Sequence, residues 1–197
     1  MSGPANSFAV HLLRHGEPEG AGRLIGATDA LPTAAGLAAC AGQAHDLGIE
    51  VLIASDLGRA RLAGEAIAAR TGLPLAIDPR WRELNFGQWD GLAPGAVDSA
   101  TLARFWDDPD GCAPPGGERW SVLVRRVRAA LGDLAARPTL VVTHGGAMRA
   151  ALAVLCELDV RQTWAIDLPY ASLLSLRVWP GTNTAEKPTA QIVGLCP

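Results

Sequence analysis

Lysine is almost missing. Of 17 basic residues in a chain of 197, only Lys187 is a lysine, and it precedes Pro188. That excludes a Walker A nucleotide loop, whose lysine follows glycine and precedes Ser or Thr. Cysteine is scarce too. Cys40, Cys112, Cys156 and Cys196 form no Cys-x-x-Cys pair, so neither a disulfide framework nor a paired-cysteine zinc site is expected. His11 and His15 share one strand face, but no cysteine or carboxylate spacing completes a metal site, and no metal or other cofactor is expected. Gly-x-Ser-x-Gly elbows and His-Glu-x-x-His motifs are also missing. The longest strongly apolar run, Ala150 to Cys156, is about a third of the roughly 20 residues a membrane span needs. Met1 to Ser7 has no basic stretch leading into an apolar one, so the reading is a reduced, cytoplasmic protein with no membrane partner. Charge excess is missing as well. A net charge of −3 and a pI near 5.8 leave no electrostatic footprint for nucleic acid.

The chain is instead rich in what builds a core. Hydrophobic residues make up 49% of it, which suits one domain spanning 1–197. Phe8 to Leu13 reads as a strand buried on both faces. Thr33 is a plausible cap for an Ala-rich helix running to Leu47, with Gly48 as its stop. Val51–Ala54 reads as a second strand, followed by a helix capped by Ser55 or Asp56 and running to Arg70. Leu75–Ile77 is a short third strand. From 83 to 117 the pattern breaks into Gly, Pro, Asp and aromatics, with a faint helix over 96–106. A clear amphipathic helix follows over 118–136, carrying Trp120, Leu123, Val127, Ala130, Leu131 and Leu134 on one stripe. Thr139–Thr143 is a fourth strand with a helix after it, and segments 173–178 and 191–195 close the sheet. Alternating strands and helices predict an α/β three-layer sandwich, with an open, mostly parallel sheet flanked by helices. The 83–117 stretch would be a lid excursion above it.

Ligands in such folds sit beyond the carboxyl ends of the strands. There the sequence places Arg14 and His15 after the first strand, Arg59 after the second, Glu83 after the third and His144 after the fourth. Paired guanidinium groups suit phosphoryl oxygens. A neutral His15 imidazole can attack phosphorus and divide one displacement into two. Nearby guanidinium charge would depress its pKa. His144 can stabilise charge on the equatorial oxygens. Glu83 can protonate the leaving oxygen and then deprotonate water, with Trp81, Phe86 and Trp89 as expected apolar surroundings. Gly16, Gly145 and Gly146 would let backbone approach a ligand, and the helices after strands two and four would direct free N–H groups at an anion. Each residue alone is more often structural; their joint placement at successive strand ends is what points to chemistry.

Leu13-Arg14-His15-Gly16-Glu17 resembles the signature of the histidine phosphatase superfamily, the phosphoglycerate mutase-like proteins. Further segments match in order: Ser55 to Ala60, Arg82 to Gly91, Pro114 to Glu118 and Val142 to Arg149. The resemblance implies His15 as the phosphorylated nucleophile and Glu83 as acid then base. It implies Arg14, Arg59 and His144 as the phosphate pocket of a cofactor-free α/β sandwich acting on a small phosphorylated substrate. Two positions depart from the family pattern: Pro18, where many members have Thr or Ser, and Ala21, where Asn is frequent. The chain lacks the long insertion of cofactor-dependent mutases, which favours hydrolysis. Phe105 to Pro109, Pro114 to Glu118 and Trp164 to Tyr170 look like the α-ribazole phosphatases of cobalamin assembly. Phe86, Trp89 and Trp106 would then form an aromatic wall for a flat base. The competing readings are a mutase using the same pocket and a non-catalytic binder of phosphate ligands; a homodimer is left open.

Overall fold

A computed structural model describes residues 7–181 and 188–197; residues 1–6, read above for an export signal, and Lys187 lie outside the described residues. Among the described residues, six strands form one sheet in the order β3-β2-β4-β1-β5-β6. They are β1 (Phe8–Arg14), β2 (Val51–Ala54), β3 (Leu75–Ile77), β4 (Thr139–Thr143), β5 (Leu173–Trp179) and β6 (Thr189–Cys196). The pairs β1–β4, β2–β4 and β2–β3 are parallel, whereas β5 is antiparallel to both neighbours. Five strands therefore share one direction. The helices are α1 (Ala34–Gln43), α2 (Gly58–Thr71), α3 (Ser99–Asp107), α4 (Trp120–Gly132), α5 (Gly145–Leu155) and α6 (Val160–Trp164).

The pleat sorts side chains into two cores, since successive residues of a strand face opposite sides. Leu13, Leu52, Ala54, Leu140 and Val142 pack under α1 and α2 with Cys40, Ala60, Ala63 and Ile67. Val10, Leu12, Val141, Leu174 and Leu176 pack under α4 and α5 with Leu123, Val127, Met148 and Leu152. Every residue of β4 is buried, as a central strand covered on both faces requires. This is the expected sandwich. Among the described residues, no helix is long and apolar enough to cross a membrane.

Several boundaries move, each for a local reason. Thr33 does cap α1, its Oγ1 accepting from Gly36 N at 3.0 Å. The helix stops at Gln43, before Asp46 and Gly48 adopt left-handed φ of 57° and 61°. Neither Ser55 nor Asp56 caps α2, which begins after Leu57 with no cap side chain of its own. Gly58 N donates instead to Asp29 from a distant loop, while Asp56 pairs with Arg82. Cys40, on the buried face of α1, has its Sγ toward the Arg14 carbonyl oxygen at 3.6 Å, and burial raises its thiol pKa to about 11.

Candidate active site

His15 leaves the end of β1 and is 4% exposed. Its Nδ1 lies 2.7 Å from the Gly16 carbonyl oxygen. A carbonyl only accepts, so Nδ1 carries the proton and Nε2 keeps its lone pair. Arg59 Nε donates to that Nε2 at 3.3 Å. Burial, then the Arg59 charge, holds the His15 pKa well below the ordinary 6.5, while the bond to Gly16 acts in the opposite direction. Two further features of Arg59 explain its rigidity. It is fully buried, and its terminal nitrogens donate to the carbonyls of Ile25, Gly26 and Thr28 at 3.2, 2.8 and 2.7 Å. Asp90 holds the same loop by accepting from Ala27 N and Thr28 N.

Arg14 donates to the Leu168 carbonyl, and its guanidinium carbon lies 4.2 Å above the Tyr170 ring. Its buried Nε has no partner. His144 ends β4, fully buried, with its ring 5.0 Å from that of His15. Ser55 Oγ lies 2.9 Å from His144 Nε2 and accepts from Leu57 N. The serine hydroxyl proton therefore suits Nε2, leaving Nδ1–H as a buried donor without a partner. Burial first, and then Arg59, depress the His144 pKa well below 6.5.

Glu83 follows a short 3₁₀ turn after β3. Its Oε1 accepts from Leu84 N and from Gly146 N, both at 2.9 Å. The second bond places the carboxylate on the first turn of α5. Arg126 of α4 fixes the segment from below, donating to the carbonyls of Arg80, Arg82 and Glu83 at 2.8, 2.7 and 2.9 Å. Glu118 holds Arg126 in turn, through two 2.8 Å contacts.

A cavity of about 240 Å³ opens at these strand ends, with Arg14, His15, Arg59 and Glu83 in its wall. Aromatics complete the wall: Phe86, Phe105, Trp106, Trp120, Trp164 and Tyr170. Four guanidinium groups (Arg14, Arg23, Arg59 and Arg149) face it against the single carboxylate of Glu83. A site so charged can hold a phosphoryl group, and its one neutral, oriented imidazole can accept it.

A family model described as "Histidine phosphatase superfamily (branch 1)" matches residues 10–190. The chain belongs to the histidine phosphatase superfamily. A relative named probable phosphoglycerate mutase, from Erwinia tasmaniensis, is 36% identical over 178 residues, 83% of this chain and 82% of that one. Among solved structures, a mycobacterial glucosyl-3-phosphoglycerate phosphatase superposes with a TM-score of 0.83 at 27% identity, covering 95% of this chain and 97% of the other. A putative α-ribazole-5'-phosphate phosphatase from Escherichia coli shares the fold, with a TM-score of 0.80 at 22% identity over 96% of each chain.

In this member of the superfamily the five expected polar residues come together, although His144 lies outside the cavity wall itself. Several expectations need correction. Trp89 does not line the cavity; it is 6% exposed and packs edge-on against Phe105 at 5.6 Å. Trp81 is fully buried in the core, and the Glu83 carboxylate is held by the backbone amides of Leu84 and Gly146. Gly16 serves packing: a Cβ there would sit 2.0 Å from the Gly36 carbonyl oxygen. The N–H groups of Gly58 and Gly146 likewise meet Asp29 and Glu83, not an open anion site. Sequence reasoning missed Trp164 and Arg149 as wall residues. Trp164 rides on α6, which is five residues long and too short for periodicity to show. Its Asp159–Gln162 capping box was the available signal.

Proposed function

We propose that this protein is a phosphomonoesterase that works through a phosphohistidine at His15. The observation that carries the reading is the state of that imidazole: Nδ1 is committed to the Gly16 carbonyl, and the lone pair of Nε2 belongs to a residue on the cavity wall. In the first step Nε2 attacks phosphorus. The P–N bond forms, the P–O bond to the alcohol breaks, and Glu83 supplies the proton to the departing oxygen. In the second step Glu83 takes a proton from water as it attacks phosphohistidine, releasing inorganic phosphate and restoring both groups. Arg14 Nε and His144 Nδ1, two of the four buried side-chain groups without partners among the described residues, would bind the phosphoryl oxygens. Arg59 holds the imidazole and adds positive charge.

The aromatic wall supports a substrate whose alcohol carries a flat, largely apolar group, and α-ribazole-5'-phosphate is the first candidate. The 83–117 excursion would act as the lid, since Phe86, Phe105 and Trp106 all come from it. A phosphate-release screen tests this, with α-ribazole-5'-phosphate, 3-phosphoglycerate, glucosyl-3-phosphoglycerate and sugar phosphates compared by kcat/KM. The ribazole ester is expected to lead. The mutase-named relative at 36% identity supports a second reading, phosphoryl return to an isomer. Conversion of 3-phosphoglycerate to 2-phosphoglycerate without phosphate release would favour it. Phosphate binding with no hydrolysis of any aryl phosphate would favour a binding protein.

A further inference from the structure

Arg149 lies on α5, one turn beyond Gly145 and Gly146, and is 8% exposed within the cavity wall. It is not aimed at a carboxylate. Its NH1 donates to the carbonyls of Thr163 and Ile166, at 2.6 and 2.8 Å, at the end of α6. Its guanidinium carbon lies 4.2 Å above the Trp164 ring. Trp164 meets Trp106 of α3 edge-to-face, with centroids 5.1 Å apart. Arg161 of α6 also pairs with Asp107 of α3. Both tryptophans remain partly exposed, at 44% and 39%. An exposed indole has several rotamers unless something holds it. Here a buried cation fixes one tryptophan by a forked contact to its own backbone segment and by stacking on its ring.

We propose that Arg149 is a positioning residue for substrate selection: it holds Trp164, and through it Trp106, as a preset aromatic face for the alcohol part of the substrate. This rests on the reading above for the phosphoryl group but makes a separate claim about the rest of the ligand. A preordered wall avoids the entropy of ordering side chains on binding, so the selected class is phosphomonoesters of alcohols bearing a fused or planar aromatic ring.

The test uses binding of non-hydrolysable phosphonates, so that it does not depend on turnover. Calorimetry compares naphthylmethylphosphonate with methylphosphonate on the wild type, Arg149→Met, Trp164→Leu and the double variant. The wild type is expected to prefer the naphthyl ligand by about tenfold or more. Arg149→Met should lose most of that preference, read as the ratio of the two affinities, so that any weakening from the lost charge, common to both phosphonates, cancels. The double variant should be no worse than Trp164→Leu, because the two residues act as one unit. If Arg149→Met fails to fold, Arg149→Lys replaces it, keeping the charge but losing the planar fork and stack. Equal weakening of both ligands would make Arg149 an anion contact and overturn the proposal, as would losses that add in the double variant. Phosphate release measured alongside reports separately on the phosphohistidine reading.

Discussion

At the scale of single residues, the imidazole of His15 combines two controls that act on different atoms. The Gly16 carbonyl selects the tautomer at Nδ1, Arg59 orients the nitrogen that would react, and burial, then the Arg59 charge, keeps that nitrogen unprotonated. Replacing His15 by Ala should reduce turnover by on the order of 10⁴-fold or more and abolish covalent labelling by a phosphorylated substrate, checked with acid-quenched ³²P-labelled protein. Glu83→Gln has a more selective expectation. Aryl phosphates leave without help, so their kcat should fall little. Alkyl phosphates need a proton on departure and should lose about a hundredfold or more. Equal losses on the two ester types would refute Glu83 as the acid.

At the scale of elements, the first turn of α5 is both a support and a constraint. A Cβ on Gly146 would lie 2.1 Å from Glu83 Oε1, and that atom ends a flexible side chain that can move. Gly146→Ala should therefore fold, with a Tm within a few degrees of wild type, yet reproduce the Glu83→Gln selectivity against alkyl esters. Differential scanning fluorimetry beside the two-ester assay checks both halves. Arg126 makes the complementary case on α4. Arg126→Leu leaves three carbonyls and the Glu118 carboxylate without their donor, and should cost about 3 kcal/mol, measured by urea unfolding. The elements also show what a sequence reveals and what it hides. Strands β1, β2 and β4 are apolar runs ended by charged or polar residues, so the sheet and the placement of Arg14, His15, Arg59 and His144 near its edge were legible. Trp89 and Trp120 were not. Both sit in stretches where an indole serves core or cavity equally well, and only the folded chain puts Trp120, at the start of α4, on the cavity and Trp89 behind Phe105. Asp29 capping α2 was equally hidden, because a cap supplied from a distant loop leaves no local signature.

At the scale of the whole molecule, two buried neutral histidines make stability depend on acid. His15 and His144 have folded pKa values well below 6.5, burial being the larger cause for each. Below the unfolded value near 6.5 the unfolded chain binds more protons than the folded one, so stability rises with pH there. Their contribution is complete above 6.5 and is lost progressively as pH falls toward the folded values. Tm should hold near neutrality and decline below 6.5, and His144→Gln should make that decline shallower. A decline equally steep in the variant would assign the acid sensitivity elsewhere. Turnover through the proposed phosphohistidine should tolerate mild acid for the same reason, since the His15 pKa lies well below 6.5.

The thiol of Cys40 offers an experimental consequence. Sealed between α1 and the sheet, and with a pKa near 11, it is shielded from alkylating reagents on both steric and chemical grounds, whereas Cys196 lies exposed. The protein thus carries a built-in reporter: the rate at which iodoacetamide captures Cys40, relative to Cys196, measures how often the α1 layer lifts from the strand that leads to His15, with no label introduced.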